Sequence, residues 1–386
     1  MIDTLSVQSV ARPGIIELGH GHPDGALLPV AGLSQAAVHA LDRAGAHALA
    51  YGSERGPGSL IAWLCERTAR AEGRAPRPEE LVITCGASHA LDLVCALGTQ
   101  PGDVALVESP AYHLGVQILR DHPLRLVPVP ADEHGLRIDA LAATIAELRR
   151  TGQRARLLYT IPTFHNPTGV SLSDNRRAAL VELAVAEELL IVEDDVYREL
   201  PYTGAAPPSL WSRASAGTVA RLGSFSKSLA PGLRLGWLMA DAALIDRIVN
   251  GGVLQSGGGV NHFTAMIVAE FCGSGLFDIQ VAQLRAAYRT RRDALANALA
   301  EQLPPGCSWR VPAGGFFIWV TLPDGLDANA LLPLAEAAGV GYLPGTRCYL
   351  AGGGANALRL SFTLYPAEVL AEGARRLGQA IRGMAS

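Results

Sequence analysis

Between Leu81 and Ala240 short apolar runs alternate with longer stretches of helical periodicity, and this alternation restricts the fold more than any other feature of the chain. The runs Leu81–Thr84, Val104–Val107, Leu124–Val129, Arg156–Ile161, Leu189–Glu193, Val219–Phe225 and Leu235–Ala240 are predicted strands. Ser88–Leu97, Ala111–Arg120, Asp139–Arg150 and Asp174–Glu188 are predicted helices. The third sets Leu141, Ile145 and Leu148 at three-to-four spacing, and the fourth follows Ser173, a candidate N-cap. Such alternation predicts an α/β chain whose mostly parallel sheet is covered on both faces, with its ligand beyond the carboxyl ends of the strands. After Ala240 the texture changes. Leu244–Val249, Phe263–Phe271 and Gln280–Leu303 read as helices, Gly315–Leu322 and Ala357–Phe362 as strands, and the segment around Ala367–Arg382 as a last helix. The second half is therefore expected to form a smaller α+β C-terminal domain, with the glycine-rich stretch Gly251–Gly259 as a boundary or mobile loop.

Composition excludes several function classes. With 49% hydrophobic and 18% charged residues, the 386-residue chain has material for a large core. A net charge of −4 without a basic run argues against nucleic-acid binding. No apolar stretch approaches the roughly 18 residues of a membrane span. The start, MIDTLSVQSVARPG, lacks the pattern of a signal peptide. The 6 cysteines are scattered without CxxC spacing. The expectation is a reduced, cytoplasmic protein without a metal site.

Of the 32 basic residues, 31 are arginine and Lys227 alone is lysine. Arginine replaces lysine at most surface positions. It cannot do so where a deprotonatable amine must attack a carbonyl. Lys227 lies in Gly223-Ser-Phe-Ser-Lys-Ser-Leu-Ala-Pro-Gly-Leu-Arg-Leu-Gly-Trp237, directly after a predicted strand. A P-loop requires glycine before its lysine, and here Ser226 stands there. Two readings stand: a polar turn leading into the next strand, or a Schiff-base lysine with phosphate ligands beside it, hydroxyls from Ser224 and Ser226 and a bidentate guanidinium from Arg234.

GSFSKxxxPGLRLGW resembles the cofactor-lysine motif of fold-type-I aminotransferases of class I/II, in the subgroup of 2-aminoadipate aminotransferases and the aminotransferase-like domains of MocR regulators. The resemblance implies a seven-stranded large domain (31–250), an N-terminal arm (1–30), a small C-terminal domain (251–386), pyridoxal 5′-phosphate (PLP) held on Lys227, and a homodimer. Further motifs occur in the family's order, and the resemblance implies a role for each. Ile191-Val-Glu-Asp194-Asp195-Val-Tyr197 supplies Asp194 to the ring nitrogen and Tyr197 to the ring 3-hydroxyl. His165-Asn166-Pro-Thr-Gly169 supplies Asn166 to the same hydroxyl and to the substrate. Leu81-Val-Ile-Thr-Cys-Gly86-Ala87-Ser88-His89 reads as strand, turn and helix start, placing the phosphate near Ala87 and Ser88. Many relatives have Ser-Gln-Gln where this chain has Ala-Ser-His, so contact at Ala87 is left to backbone. Tyr112 in Glu108-Ser-Pro-Ala-Tyr112 stacks on the ring, Arg359 grips the substrate α-carboxylate, Gly21 lets backbone approach the substrate, and Tyr51 reaches the neighbouring subunit's phosphate.

The implied reaction moves an amino group between an L-amino acid and a 2-oxo acid, with Lys227 carrying the proton. Related scaffolds also perform elimination, γ-replacement and C–C bond chemistry on functionalised amino acids, which is the alternative reading. His20, His22, His89, His113, His165 and the pair Asn261-His262 fall in or beside these motifs. They are either satisfied loop residues or the lining of a polar substrate pocket. Gln280 stands where many relatives have histidine.

Overall fold

The computed structural model describes residues 12–215 and 217–385, so residues 1–11 of the expected arm lie outside the described residues. All seven predicted strands form and lie in one sheet. Its spatial order is Leu81–Thr84, Gly236–Met239, Val219–Ser224, Leu190–Asp194, Ala155–Thr160, Val104–Ser109 and Arg125–Asp132, with a two-residue strand, Gly135–Leu136, added at the edge. The five strands from Val219–Ser224 to Arg125–Asp132 are mutually parallel, and Gly236–Met239 runs antiparallel to both its neighbours. The central strands are buried along almost their whole length, which is why they read as continuous apolar runs rather than alternating ones.

The predicted helices form with ends displaced by a few residues. Helix Ile138–Arg150 buries Leu141, Ile145 and Leu148, the three residues whose spacing predicted it. Ser173 is the N-cap residue of helix Asp174–Ala186 by position, but its side chain makes no capping hydrogen bond. Gly251–Gly259 departs from expectation. Gly252–Gly257 is a short helix pinned by buried Leu254, and the glycines with positive φ are confined to Gly258 and Gly259.

A second sheet of four antiparallel strands has the order Ser308–Trp309, Phe317–Thr321, Ala357–Ser361, Leu343–Pro344. Ile16–Glu17 pairs in parallel with Val340–Gly341, so the start of the described chain is stitched to the C-terminal half. Two hydrophobic clusters fill the molecule. One runs through the face of the large sheet that carries Val82, Tyr159 and Val192 into the small sheet and the last helix, Ala367–Ala385. The other joins the opposite face to helices Val30–Ala44, Gly58–Glu72 and His262–Gly273. Among the described residues no single helix is long and apolar enough to cross a membrane, and no cluster of three or more His, Cys, Asp or Glu could hold a metal ion.

Candidate active site

Six of the motif residues, Asp194, Lys227, Gly21, Tyr197, Asn166 and Arg359, meet where the large sheet's strands end. Asp194 is the last residue of strand Leu190–Asp194, and Lys227 sits in the turn that follows Val219–Ser224, two strands adjacent in the sheet. The Asp194 carboxylate is buried. Its Oδ2 accepts a hydrogen bond from the Tyr159 hydroxyl at 2.7 Å, while Oδ1 has no partner. Burial pushes the carboxyl up to about 6, with Asp195 adding to the rise and Tyr159 and Lys227 opposing it. The sequence reading missed Tyr159. Its strand partner is Val192, two residues before Asp194, so only the sheet register brings it there.

Lys227 is partly buried, and its Nζ donates to the Gly21 carbonyl at 2.9 Å and lies 5.2 Å from the Phe316 ring centroid. Burial, then the positive charge of Arg359, lowers its ammonium to about 8; Asp194 acts against this and Arg234 with it. The amine is thus neutral in a far larger fraction near physiological pH than an ordinary lysine, as a nucleophile needs. Gly21 is held against Phe317, where a β-carbon would fall 2.5 Å from the ring's Cζ.

Tyr197, Asn166 and Arg359 form a chain. Asn166 Nδ2 donates to the Tyr197 hydroxyl at 3.5 Å, and Arg359 Nη1 donates to Asn166 Oδ1 at 2.7 Å. Arg359 also donates to the Gly19 carbonyl and lies with its Cζ 4.0 Å from the Phe317 ring centroid, and its Nε has no partner. A buried guanidinium with a spare donor, met only by neutral oxygens, suits a carboxylate. Tyr112 precedes helix His113–Arg120, and burial pushes its phenol up to about 12.

A second group lies at the start of helix Ala87–Gly98. Gly86, at φ +86, turns the chain out of strand Leu81–Thr84 into Ala87 and Ser88. The Arg234 guanidinium crosses this turn, donating to the Cys85 carbonyl at 3.2 Å and lying 3.0 Å from where a Gly86 β-carbon would be. Ser224 Oγ accepts from the Ser226 N–H at 3.1 Å. An exposed arginine, serine hydroxyls and the start of a helix are the donor types that can hold an anion such as phosphate. Tyr51 does not join either group: it is 86% exposed.

The histidines divide. His89 Nδ1 accepts from the Cys85 N–H at 3.1 Å and His165 Nδ1 meets Thr168 Oγ1 at 2.8 Å, so these two serve local turns, whereas His262 Nε2 lies 3.2 Å from the distant His47 carbonyl and its Nδ1 is unpartnered. His20 and His22 stack at 5.4 Å either side of Gly21. Burial, then Lys227 and His20, lowers His22 to about 4. Burial, then Arg359 and Arg347, lowers His113 to about 4, and its Nδ1 is unpartnered.

The donor set fits PLP. The unpartnered Asp194 oxygen is free for a protonated ring nitrogen, Lys227 supplies the amine, and the Gly86 turn with Arg234 supplies anion donors. Comparison with known proteins agrees. The family model "Aminotransferase class I and II" matches residues 13–377. The chain is 37% identical over 380 residues to the 2-aminoadipate transaminase of Thermus thermophilus, covering 97% of this chain and 91% of that protein. It is 34% identical over 375 residues to the aromatic-amino-acid aminotransferase 1 of Thermococcus litoralis, covering 97% and 89%. The structure of Pyrococcus horikoshii kynurenine aminotransferase in complex with PMP superposes with a TM-score of 0.91 at 33% identity, covering 97% of this chain and 92% of that one. The elimination and replacement alternative has no counterpart among these relatives. With its cofactor cradle and its relatives in agreement, this chain belongs to the class I and II aminotransferase family and is a PLP-dependent transferase of amino groups.

Proposed function

We propose that Lys227 is the covalent anchor and proton carrier, that Asp194 and Tyr197 are its catalytic partners on the cofactor, and that Arg359 grips the substrate α-carboxylate. The observation that carries this reading is the pairing of a buried, half-satisfied Asp194 with an amine lowered to about 8 on the adjacent strand end. The bound cofactor would supply an electron-withdrawing ring that stabilises negative charge at the substrate Cα. This chain's residues do the rest. Asp194 holds positive charge on the ring nitrogen through Oδ1. Asn166 and Tyr197 present an N–H and an O–H at the 3-hydroxyl side. Lys227 Nζ takes and returns the Cα proton, a step of the kind worth about 10²–10⁴-fold. Ala87, Ser88, Ser224, Ser226 and Arg234 hold phosphate, and Tyr112 covers the ring.

The second substrate is a 2-oxo acid. The relatives named above act on aromatic amino acids and 2-aminoadipate by their names, and their agreement on an α-amino acid with a long side chain supports that class here. The working form is a homodimer in the cytoplasm, with Tyr51 completing the partner's phosphate site; the exposure of Tyr51 itself and of the apolar residues Val30, Val38, Leu49 and Val253 supports this. We retain the division into an arm (1–30), a large domain (31–250) and a small domain (251–386), supported by the two separate sheets.

Lys227→Ala tests the core of the reading. Borohydride reduction should fix PLP on the wild type and leave the variant unlabelled, and amino-group transfer should fall by at least about 10³-fold. A variant that transfers amino groups at the normal rate would sink it.

A further inference from the structure

The segment Gly257–His262 has no place in the chemistry above, yet it is tied to it. Asn261 is the N-cap residue of helix His262–Gly273 and has φ +54, but its side chain does not cap that helix. Its Nδ2 instead donates to two carbonyls across the molecule, Leu233 at 2.9 Å and Arg234 at 2.7 Å. Arg234 itself occupies the left-handed region, at φ +46 and ψ 51. A side-chain-bearing residue stays there only when its surroundings hold it, and the alternative wells would swing the guanidinium off the Gly86 turn. Asparagine suits the holding position twice over, because it tolerates positive φ and its amide offers two hydrogens to two acceptors. The two residues before Val260 seat the turn. A β-carbon at Gly258 would fall 2.6 Å from the Gly52 carbonyl oxygen, and one at Gly259 would fall 2.3 Å from that of Ser53. The turn that holds Arg234 therefore rests on the loop that carries Tyr51.

The geometry points to Asn261 as a positioning residue that locks the Arg234 turn and so sets affinity for the cofactor's phosphate, without touching the cofactor. This rests on the reading of Arg234 as a phosphate ligand.

The test is Asn261→Gly, which keeps the positive φ and the N-cap position while deleting the amide. Full-length enzyme stripped of cofactor is titrated with PLP and, separately, with pyridoxal, which lacks the phosphate. Loss of two hydrogen bonds should weaken PLP binding about tenfold and leave pyridoxal binding unchanged. The same substitution in an Arg234→Ala background should have no further effect on PLP. Asn261→Asp, which aims a carboxylate at the same two carbonyls, should weaken PLP binding at least as much. Unchanged PLP affinity in Asn261→Gly, or an equal loss for both ligands, would overturn the inference, the second outcome marking Asn261 as a general support of the fold. If Arg234→Ala alone leaves PLP affinity intact, the phosphate reading of Arg234 fails and takes this inference with it.

Discussion

Asp194 and Tyr159 show how much a single neighbour can set at the scale of the residue. Burial raises the Asp194 carboxyl to about 6 even with the Tyr159 hydroxyl opposing the rise. Tyr159→Phe removes that opposition, so the carboxylate becomes harder to ionise. The acid limb of the kcat/KM profile should move to higher pH, with little change on the alkaline side; an unmoved limb would show that Tyr159 does not tune Asp194. Lys227 has a consequence for stability as well. In cofactor-free protein its ammonium is lowered to about 8 from 10.5. Between those two values the unfolded chain binds more protons than the folded one, so this group makes stability rise with pH across the window. Relative to those of Lys227→Met, denaturant midpoints of cofactor-free wild type should rise as pH climbs from about 8 to 10.5 and level off above it; a flat difference across that window would refute the lowered ammonium. The motif residues were legible in the sequence because each sits in a short string with its own chemistry. Tyr159, Gly19 and Phe317 carried no such string, since their roles come from strand register and long-range packing.

Loops at strand ends do the presenting at the scale of the element, and one buried arginine supports the most important of them. Arg177 is fully buried on helix Asp174–Ala186 and donates to the carbonyls of Pro162, Leu172 and Pro208 and to Thr163 Oγ1. It thereby spans both ends of the Pro162–Leu172 loop that carries Asn166. Arg177→Ala strands several buried acceptors and should cost about 3 kcal/mol or more. Thermal unfolding should report the loss, and KM for the amino acid should rise because Asn166 and Arg359 are linked. Sequence periodicity revealed Arg177's helix but gave no sign of the residue's task, since a charged residue in a helix reads as a solvated one. The loop reading of Gly251–Gly259 failed differently. Its glycines signal a loop, but Leu254 buries into the core and two of the glycines are needed for close approach, so most of the stretch is helical.

The whole molecule was the most legible level, because the alternation of buried strands and amphipathic helices leaves few other arrangements for a chain of this length. What local pattern could not show is the assembly. Val30, Val38, Leu49, Tyr51 and Val253 lie on neighbouring elements and are 54–86% exposed, the kind of apolar surface that marks an interface. The proposed homodimer predicts that wild type sediments as a dimer, and that Leu49→Asp combined with Val253→Asp shifts it to monomer and weakens PLP binding because Tyr51 would lose the partner's phosphate site. A double variant that still sediments as a dimer would place the interface elsewhere.

Lys227 has one more use, in the laboratory. Apart from the chain's terminal amine it offers the only primary amine, and that amine is half neutral near pH 8. A mild acylating reagent should therefore add a single internal tag to each subunit whose aldehyde coenzyme is missing and none to a loaded subunit. Mass spectrometry of an intact preparation then becomes a census of vacant sites.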